Sequence, residues 1–306
     1  MKRQAIGTAM LMTASFIWGM SYVAQSIGMN HTGPAAFITA RFLLGGAALL
    51  PVIFAPALLA NKKYDGTAGA RFGNFPLRSG IFCGVVLFLL SYIQQVGMIY
   101  TTVGKAGFIT TLYIVIVPVL GLFFGRKIRL LVWGCAFAAL VGMYLLCVNE
   151  SAPLNKGDLY VLVCAFFAAV HILMIDHYST RVDALRFSAI QFFVCGGIGL
   201  IIAFLTETPS WAALWAARLP IAYTAVMSSG VAFTLQTVAQ RRVTPMIASL
   251  VMSLEAVFAA LTGWLVLRQV LSAREFLGCA VIFASVIAAQ TPDMSERGRL
   301  SRGQLS

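Results

Sequence analysis

The sequence predicts an all-α integral membrane protein with ten transmembrane helices, arranged as two inverted five-helix repeats. Three observations favour this fold class. Hydrophobic residues make up 60% of the 306 positions and charged residues only 10%, against about 25% charged in soluble domains. Ten segments are apolar over about the 20 residues that a helix needs to cross a bilayer. The basic residues are concentrated in alternate connectors between these segments.

The ten predicted spans are separated by short connectors. The first span follows Lys2 and Arg3 and resembles a secretory signal, but it is long enough to cross the bilayer and lacks a convincing small-residue cleavage site. The basic breaks at 125–127 and 241–242 are tight, yet merging the helices beside either one would give an implausibly long helix. The predicted spans are residues 5–25, 34–56, 78–100, 106–125, 129–148, 157–177, 186–205, 217–239, 245–267 and 275–291.

The Lys and Arg residues predict the orientation of these spans. Counted over the termini and alternate connectors, one side of the membrane carries 16 of them and the other side carries 5. Because connectors rich in Lys and Arg stay in the cytoplasm, both termini are predicted to be cytoplasmic, which agrees with an even number of spans. The same distribution explains the net charge of +12 without nucleic acid as a partner.

A weak internal similarity predicts how the chain divides. Residues 108–125 align with residues 246–263 at an offset of 138 positions, through Ile, Leu, Val and Gly matches. An odd number of spans per repeat makes the two halves inverted in the membrane, as in many secondary transporters. We therefore predict an N-terminal repeat over 1–150, a C-terminal repeat over 151–291 and a cytoplasmic tail over 292–306.

Two charged residues lie deep within predicted spans, where a charge costs roughly 2.5–3.5 kcal/mol on insertion scales. Glu255 is the only acidic one and Arg41 the only basic one. Glu255 either binds a substrate amine or a proton, or is a structural partner of Arg41 or of hydroxyl groups. Arg41 either binds a substrate carboxylate through its fork of donors or anchors the second helix near the outer side.

Uncharged polar and aromatic residues add further candidates for substrate binding or coupling. His171 in the sixth span is either a proton relay or a residue with one local hydrogen bond. Gln94 and Gln95 are adjacent on the third span, so only one of them can face a pore while the other contacts a neighbouring helix. Trp18 and Tyr113 are candidates for the wall of an amphipathic cavity.

Pro118 lies in the middle of the predicted fourth span. A proline there removes one backbone donor and frees a carbonyl, so we predict a kink that acts as a hinge. Gly121, one turn later, softens the same region.

Small residues form a ridge on the predicted fifth span. Gly134, Ala138 and Gly142 follow one another at four-residue spacing on one helix face. Such ridges let helices approach closely, either within one chain or across a dimer face. We therefore predict a monomer or a weak homodimer.

The sequence lacks the motifs of several function classes. It contains no Walker sequence, no H-E-x-x-H and no G-x-S-x-G. Its six cysteines form no C-x-x-C pair and have no His neighbours at metal spacing. We therefore predict that the protein is not an enzyme and has no catalytic residues, no metal site and no cofactor.

Four segments of the chain resemble the ten-helix EamA branch of the drug/metabolite transporter superfamily. Each is a loose motif, but their order and spacing together are specific, and the resemblance covers roughly residues 5–291. The segments are 15–19 (SFIWG), 40–44 (ARFLL), 95–110 (QVGMIYTTVGKAGFIT) and 253–264 (SLEAVFAALTGW).

The resemblance implies inverted five-helix repeats, a bacterial inner-membrane location and secondary transport, often export of amino acids or other metabolites. It also implies that Trp18, Arg41 and Glu255 occupy positions commonly filled by these residue types in relatives. The sequence departs from the family pattern where Ala256 replaces the proline that commonly follows the ninth-helix glutamate. A particular relative's substrate therefore does not transfer to this chain.

These observations predict a secondary active transporter that exports amino acids or other small amphipathic metabolites by alternating access. Its expected partners are the small-molecule substrate, the lipid bilayer and protons as a coupling ion. Two alternatives stay open. One is a passive channel or facilitator, and the other is a lipid-handling protein or enzyme of the membrane, which the scarcity of ionisable residues disfavours.

Overall fold

The computed structural model describes residues 2–59, 75–101, 103–126, 128–147, 155–267 and 272–290. Within these ranges the chain is helical and contains no β-strand, which confirms the all-α class. The spans are Lys2–Met29, Pro34–Leu59, Phe75–Met98, Val103–Thr110 with Tyr113–Phe123, Leu130–Cys147, Lys156–Ser179, Ala184–Thr206, Arg218–Tyr223 with Thr224–Phe233 and Thr234–Ala239, Pro245–Met252 with Leu254–Leu267, and Ala273–Ala289. A short helix, Trp211–Ala216, precedes the eighth span.

Most of the described helices have the length and surface of membrane spans. Eight of the described helices are long and apolar enough to cross a bilayer, and the fifth is a shorter apolar helix. The tenth has 17 residues. Large apolar side chains point outward, with Phe123 83% and Leu130 86% exposed. Such surfaces are stable against lipid and not against water.

Local sequence sets where several spans begin. The sixth starts with a capping box, in which the Asn155 side chain accepts from backbone N–H groups and the Asp158 side chain accepts from the Asn155 N–H. Ser272 and Glu275 repeat this arrangement at the tenth span. The ninth starts with Thr244 as N-cap before Pro245, whose missing N–H costs nothing at that position.

The helix packing is the same when the two halves of the chain are exchanged. The second span packs against the seventh, and the fifth against the tenth. The third packs on the sixth as the eighth packs on the first, and the fourth packs on the sixth as the ninth packs on the first. Exchanging each span with the one five places later leaves this pattern unchanged, as expected for two repeats.

The crossing of the second and seventh spans shows the exchange at residue level. A side chain at Gly46 would meet the Phe193 ring at 3.1 Å, and one at Gly196 would meet the Leu43 side chain at 2.7 Å. Gly196 follows Gly46 by 150 positions, and Phe193 follows Leu43 by 150 positions. Each half thus supplies a glycine that receives the other half's side chain, which brings the two backbones close together.

The fourth and ninth spans are interrupted at equivalent points. The Thr111 hydroxyl donates to the Phe108 carbonyl over 2.7 Å, and the Ser253 hydroxyl donates to the Leu250 carbonyl over 2.7 Å. After each hydroxyl residue a backbone N–H bonds back only three residues, at 2.9 and 3.2 Å, which tightens the helix. These pairs are 142 positions apart, so the offset of 138 taken from Leu, Val and Gly matches was wrong by about one helical turn.

The interruption of the fourth span does not coincide with Pro118. Helix Tyr113–Phe123 continues through Pro118, and the non-helical residues are Thr111 and Leu112. Gly121 packs against the end of the Met246 side chain. The hinge role predicted for Pro118 and Gly121 therefore stays a prediction.

The two glycines of the predicted small-residue ridge lie in different surroundings. A side chain at Gly142 would meet the Gly278 carbonyl at 2.8 Å, so Gly142 lies where the fifth and tenth spans of one chain cross. Gly134 has nothing within 4 Å of its side-chain position. The boundary predicted at 150/151 and the tail 292–306 lie outside the described residues.

Polar contacts at the two ends of the bundle agree with spans that cross the membrane in alternate directions. Both carboxylate oxygens of Glu207, after the seventh span, accept from the Ala35 and Ala36 N–H groups at 2.7 and 2.9 Å. We call this end of the bundle the Glu207 end. At the opposite end, Arg126 pairs with Asp176 over 2.6 Å. Each contact joins a connector to the end of a span, and ten alternating spans place the two partners at the same end of the bundle.

Candidate functional site

A polar cavity lies between the two halves. It is lined from the first, second, third, fourth, sixth, eighth and ninth spans, mostly by residues near the middle of their helices. The lining residues are Trp18, Tyr22, Gln25, Arg41, Leu90, Ser91, Gln94, Thr110, Tyr113, Ala168, His171, Ile172, Phe233, Gln236, Met252 and Glu255.

The cavity is small in this conformation. Its volume is about 90 Å³, whereas a buried water needs roughly 10–15 Å³ and small-molecule sites usually measure about 300–1,000 Å³. The space therefore has room for only a few water molecules. A metabolite would fit only after the surrounding spans moved apart.

Arg41 is buried and binds three neutral oxygens. Its Nε donates to Ser229 Oγ over 3.1 Å, Nη1 donates to Gln25 Oε1 over 3.1 Å, and Nη2 donates to Ser228 Oγ over 2.8 Å. The Phe42 ring lies 5.0 Å from the guanidinium carbon. Arg41 thus connects the first, second and eighth spans, and none of its described hydrogen bonds goes to Glu255.

The part of the eighth span that contacts Arg41 has an unusual backbone conformation. Residues Thr224–Phe233 form a π-helix, a wider helix that is rare and often occurs at functional sites. Gly45, one turn after Arg41, allows the approach, because a side chain there would lie 2.8 Å from Ser229 Cβ and 2.9 Å from the Ala225 carbonyl. The geometry around the guanidinium therefore depends on a glycine that never touches it.

Glu255 is buried in the cavity wall and has one described partner. The Tyr113 hydroxyl donates to Glu255 Oε1 over 3.3 Å. Of the structural interpretations left open by the sequence, partnership with a hydroxyl is the one present here. Ionised carboxylates accept several hydrogen bonds, so Glu255 keeps acceptor capacity toward the cavity.

Gln94 lines the cavity and Gln95 does not. Gln94 Nε2 donates to Tyr22 Oη over 3.3 Å and to Thr110 Oγ1 over 3.2 Å, which joins the first, third and fourth spans. Gln95 is fully buried elsewhere, and its side-chain nitrogen and oxygen have no hydrogen-bond partner among the described residues. The structure thus separates the pair as adjacent helical positions require.

His171 and Trp18 also face the cavity. His171 Nε2 lies 2.9 Å from Gln191 Oε1, a hydrogen bond within the second half. Trp18 Nε1 donates to the Ser228 carbonyl over 3.3 Å, and its ring packs edge-on against Phe233 with centroids 5.0 Å apart. Trp18 and Arg41 therefore both bind the π-helix of the eighth span.

Sequence reasoning did not single out the eighth-span residues that complete this site. Ser228 and Ser229 position Arg41, and a pair of serines inside an apolar span was the available signal. Gln236 lines the cavity, and its Oε1 has no hydrogen-bond partner in the described part of the chain. A buried acceptor without a partner is costly, and a cavity water or a ligand that donates a hydrogen bond would satisfy it.

The described residues contain no group of three or more His, Cys, Asp or Glu side chains that could hold a metal ion. Five of the six cysteines are free and buried, at positions 83, 135, 164, 195 and 279. The arrangement suits noncovalent binding of a small polar or amphipathic molecule, through one cationic group, one anionic group, amides and aromatic walls.

Comparison with known proteins assigns the chain to a family. The sequence profile of EamA-like transporters matches residues 5–148 and, a second time, residues 155–290. The chain belongs to the EamA-like transporter family. This result confirms the resemblance to the drug/metabolite transporter superfamily and agrees with the two-repeat architecture. The protein is thus a multi-pass membrane transporter, which binds a small-molecule substrate and the lipid bilayer.

Relatives of this EamA-like transporter extend over nearly all of its length. An uncharacterized transporter of Archaeoglobus fulgidus is 29% identical over 279 residues, which are 90% of this chain and 83% of the relative. The uncharacterized transporter YoaV of Bacillus subtilis is 20% identical over 282 residues, with 90% and 94% covered. A crystal structure 16% identical in sequence has the same fold, with a TM-score of 0.76 over 93% of this chain and 96% of the other.

Proposed function

We propose that this transporter is a secondary active exporter of amino acids or other small amphipathic metabolites and works by alternating access. The observation that carries the proposal is the placement of Arg41 and Glu255 in one cavity without a hydrogen bond between them. Two opposite charges held apart match a zwitterion. The aromatic and aliphatic walls match an apolar side chain.

Arg41 is proposed to bind the substrate carboxylate. A guanidinium carries five N–H groups, and three hydrogen bonds to neutral oxygens are described for Arg41. Two donors remain, enough for the paired contact that carboxylates make with arginine. The three protein contacts hold the guanidinium in place before substrate arrives, which lowers the entropy lost on binding.

Glu255 is proposed to bind the substrate amine and, in its absence, a proton. Its single described hydrogen bond comes from a neutral phenol, so no cation among the described residues is hydrogen-bonded to the carboxylate. A substrate ammonium or a proton would compensate its charge. Competition between the two for one site would couple export of substrate to entry of protons.

Alternating access is proposed because the small cavity must expand and because the fourth and ninth spans are interrupted beside it. Interrupted helices at the midplane are a common feature of secondary transporters. We propose Pro118 and Gly121 as a hinge in the fourth span. We also propose that the protein acts as a monomer or a weak homodimer.

The proposed location is the bacterial inner membrane, with both termini in the cytoplasm. The support is the bias of Lys and Arg toward one side, which makes the Glu207 end periplasmic. Single cysteines introduced at His31 and at Thr180 in a cysteine-free background test this orientation. An impermeant maleimide added to intact cells should label position 31 and leave position 180 unlabelled, and the reverse pattern would contradict the proposed topology.

Untargeted metabolite profiling of the medium tests the transport proposal. Cells would overproduce the wild type, the Glu255→Gln variant or no transporter, with membrane levels of the two proteins matched. We expect one class of amphipathic solute to accumulate outside with the wild type only. Three indistinguishable media would remove export from consideration.

Proteoliposomes loaded with the identified solute then separate active transport from a passive facilitator. We expect an imposed proton gradient to raise the efflux rate of the wild type and to leave that of Glu255→Gln unchanged. Efflux by the wild type that is equally fast with and without the gradient would identify a facilitator.

A further inference from the structure

A second, larger cavity opens on the lipid-facing surface near the Glu207 end. It lies between the second and seventh spans, the short helix Trp211–Ala216 and the start of the eighth span, and has a volume of about 520 Å³. We call it the lateral groove. Its lining residues are Ala36, Thr39, Ala40, Leu43, Leu44, Leu200, Ala203, Phe204, Pro209, Ser210, Trp211, Leu214, Trp215, Arg218, Ile221 and Ala222.

The walls of the lateral groove are apolar, and the short helix on one side does not close it. None of the residues of Trp211–Ala216 is buried, although the next residue, Ala217, is fully buried. Across the groove, Leu44 and Phe204 are 52% and 70% exposed. A space of this size with such walls gains nothing from water and loses dispersion contacts when empty, so at membrane depth a hydrocarbon chain fills it best.

The mouth of the groove has the residues of a membrane–water interface. Trp211 and Trp215 are 78% and 60% exposed, as expected for rings in the headgroup region. Arg218 stands beside them, with Nη1 donating to the Trp215 carbonyl over 2.9 Å and its guanidinium carbon 5.2 Å from the Trp215 ring. These contacts place the guanidinium beside Trp215 and use one of its five N–H donors.

We propose that the lateral groove binds one glycerophospholipid, with an acyl chain in the groove and the phosphate at Arg218. The apolar walls of the groove match an acyl chain, and the Arg218 cation beside the exposed tryptophans matches the phosphate. Arginine suits phosphate because its planar fork contacts two oxygens together. The site is separate from the polar cavity and does not depend on which solute is transported.

The acyl-chain part of the proposal is tested by filling the groove. Ala222 lines the groove and is exposed, so Ala222→Phe places a ring in the space of the lipid. Ala280 is also exposed on a lipid-facing helix but lies outside the groove, and Ala280→Phe is the matched control. Native mass spectrometry of the purified proteins should show one phospholipid retained by the wild type and by Ala280→Phe and lost from Ala222→Phe.

The phosphate part is tested by comparing lipids with and without that group. Phosphatidylethanolamine and diacylglycerol of the same acyl composition would be titrated into delipidated protein. We expect the wild type to prefer the phospholipid by about tenfold, the effect of hydrogen bonds to a charged group. Arg218→Gln should bind both lipids equally, and Arg218→Lys should fall between.

A measurement on the wild type alone keeps the proposal testable if a variant does not fold. A phospholipid with a photoactivatable acyl chain should label peptides containing residues 39–44, 200–204 and 214–222. Labelling spread evenly over all lipid-facing helices would overturn the proposal. So would equal lipid retention by Ala222→Phe and Ala280→Phe, or displacement of the lipid by the transported solute, which would make the groove part of the substrate path.

Discussion

Tyr113 and Glu255 are joined across the two halves by a hydrogen bond of 3.3 Å. Each lies two residues after the hydroxyl residue, Thr111 or Ser253, at which its span is interrupted. The bond therefore connects two equivalent points of the repeats, inside the cavity. Any movement of the fourth span against the ninth changes this distance directly.

Replacing Tyr113 by Phe removes the one donor described for Glu255. We expect the initial transport rate in proteoliposomes to fall about tenfold, because a hydrogen bond to a charged group contributes about 1.5–3 kcal/mol and about 1.4 kcal/mol corresponds to a factor of ten. The fold should persist, since the ring keeps its packing. Tyr144→Phe, at a half-exposed tyrosine of the fifth span, is the control, and equal rates for the two variants would exclude a role for the Tyr113 hydroxyl.

Replacing Arg41 by Lys keeps the charge and removes the planar fork. An ammonium is a compact charge and cannot reproduce three contacts that diverge toward Gln25, Ser228 and Ser229. We expect a lower midpoint of thermal unfolding in detergent. In a double-mutant cycle with Ser229→Ala, the losses should be clearly less than additive. Strictly additive losses would show that the two side chains do not act together.

A side chain at Gly45 should separate the second span from the π-helix. Its Cβ would lie 2.8 Å from Ser229 Cβ, and overpacking of this kind costs about 1–3 kcal/mol. We expect Gly45→Ala to lower Tm by roughly 2–8 °C. Gly197 is the control, because nothing lies within 4 Å of its side-chain position. Gly197→Ala should be neutral or slightly stabilising, and similar effects at both sites would contradict the close approach.

Replacing Glu207 by Ala should expose the start of the second span. The carboxylate accepts from the Ala35 and Ala36 N–H groups, and loss of such a cap costs about 0.5–2 kcal/mol. We expect amide hydrogen exchange of these two residues to rise roughly tenfold. The amides capped by Asn155 at the sixth span provide the internal reference. Unchanged exchange at 35 and 36 would mean that water replaces the carboxylate without loss.

The membrane spans and the two charged cavity residues were predictable because each involves a large free-energy cost within a single helix. The long apolar segments required a membrane, and the cost of a charge within them pointed to Arg41 and Glu255, which both line the cavity. The adjacency of Gln94 and Gln95 required that only one of them face it, and Gln94 lines the cavity. Each of these inferences depends on one helix in lipid and needs no knowledge of its neighbours.

The remaining features depend on pairs of helices. Ser228 and Ser229 became important only when Gly45 brought the second span to them. The helix interruption follows Thr111 and Ser253, whose hydroxyls bond back to their own helices, whereas the sequence directed attention to Pro118. Residue types alone did not reveal the repeat register either, since apolar matches between membrane helices are frequent.

The paired glycines at the crossing of the second and seventh spans constrain the transport cycle. If the halves exchange shapes between the two states, Gly46 with Phe193 and Gly196 with Leu43 swap roles, and the crossing is the same before and after. This crossing can therefore act as the fixed point about which the two halves rotate. The hydrogen bonds from Arg41 to Ser228 and Ser229 have no such counterpart in the other half. The eighth span is a π-helix at these residues, whereas the described part of its equivalent, the third span, is a regular α-helix. Substitutions at this crossing should therefore destabilise both states equally, whereas substitutions around Arg41 should change the equilibrium between the two states.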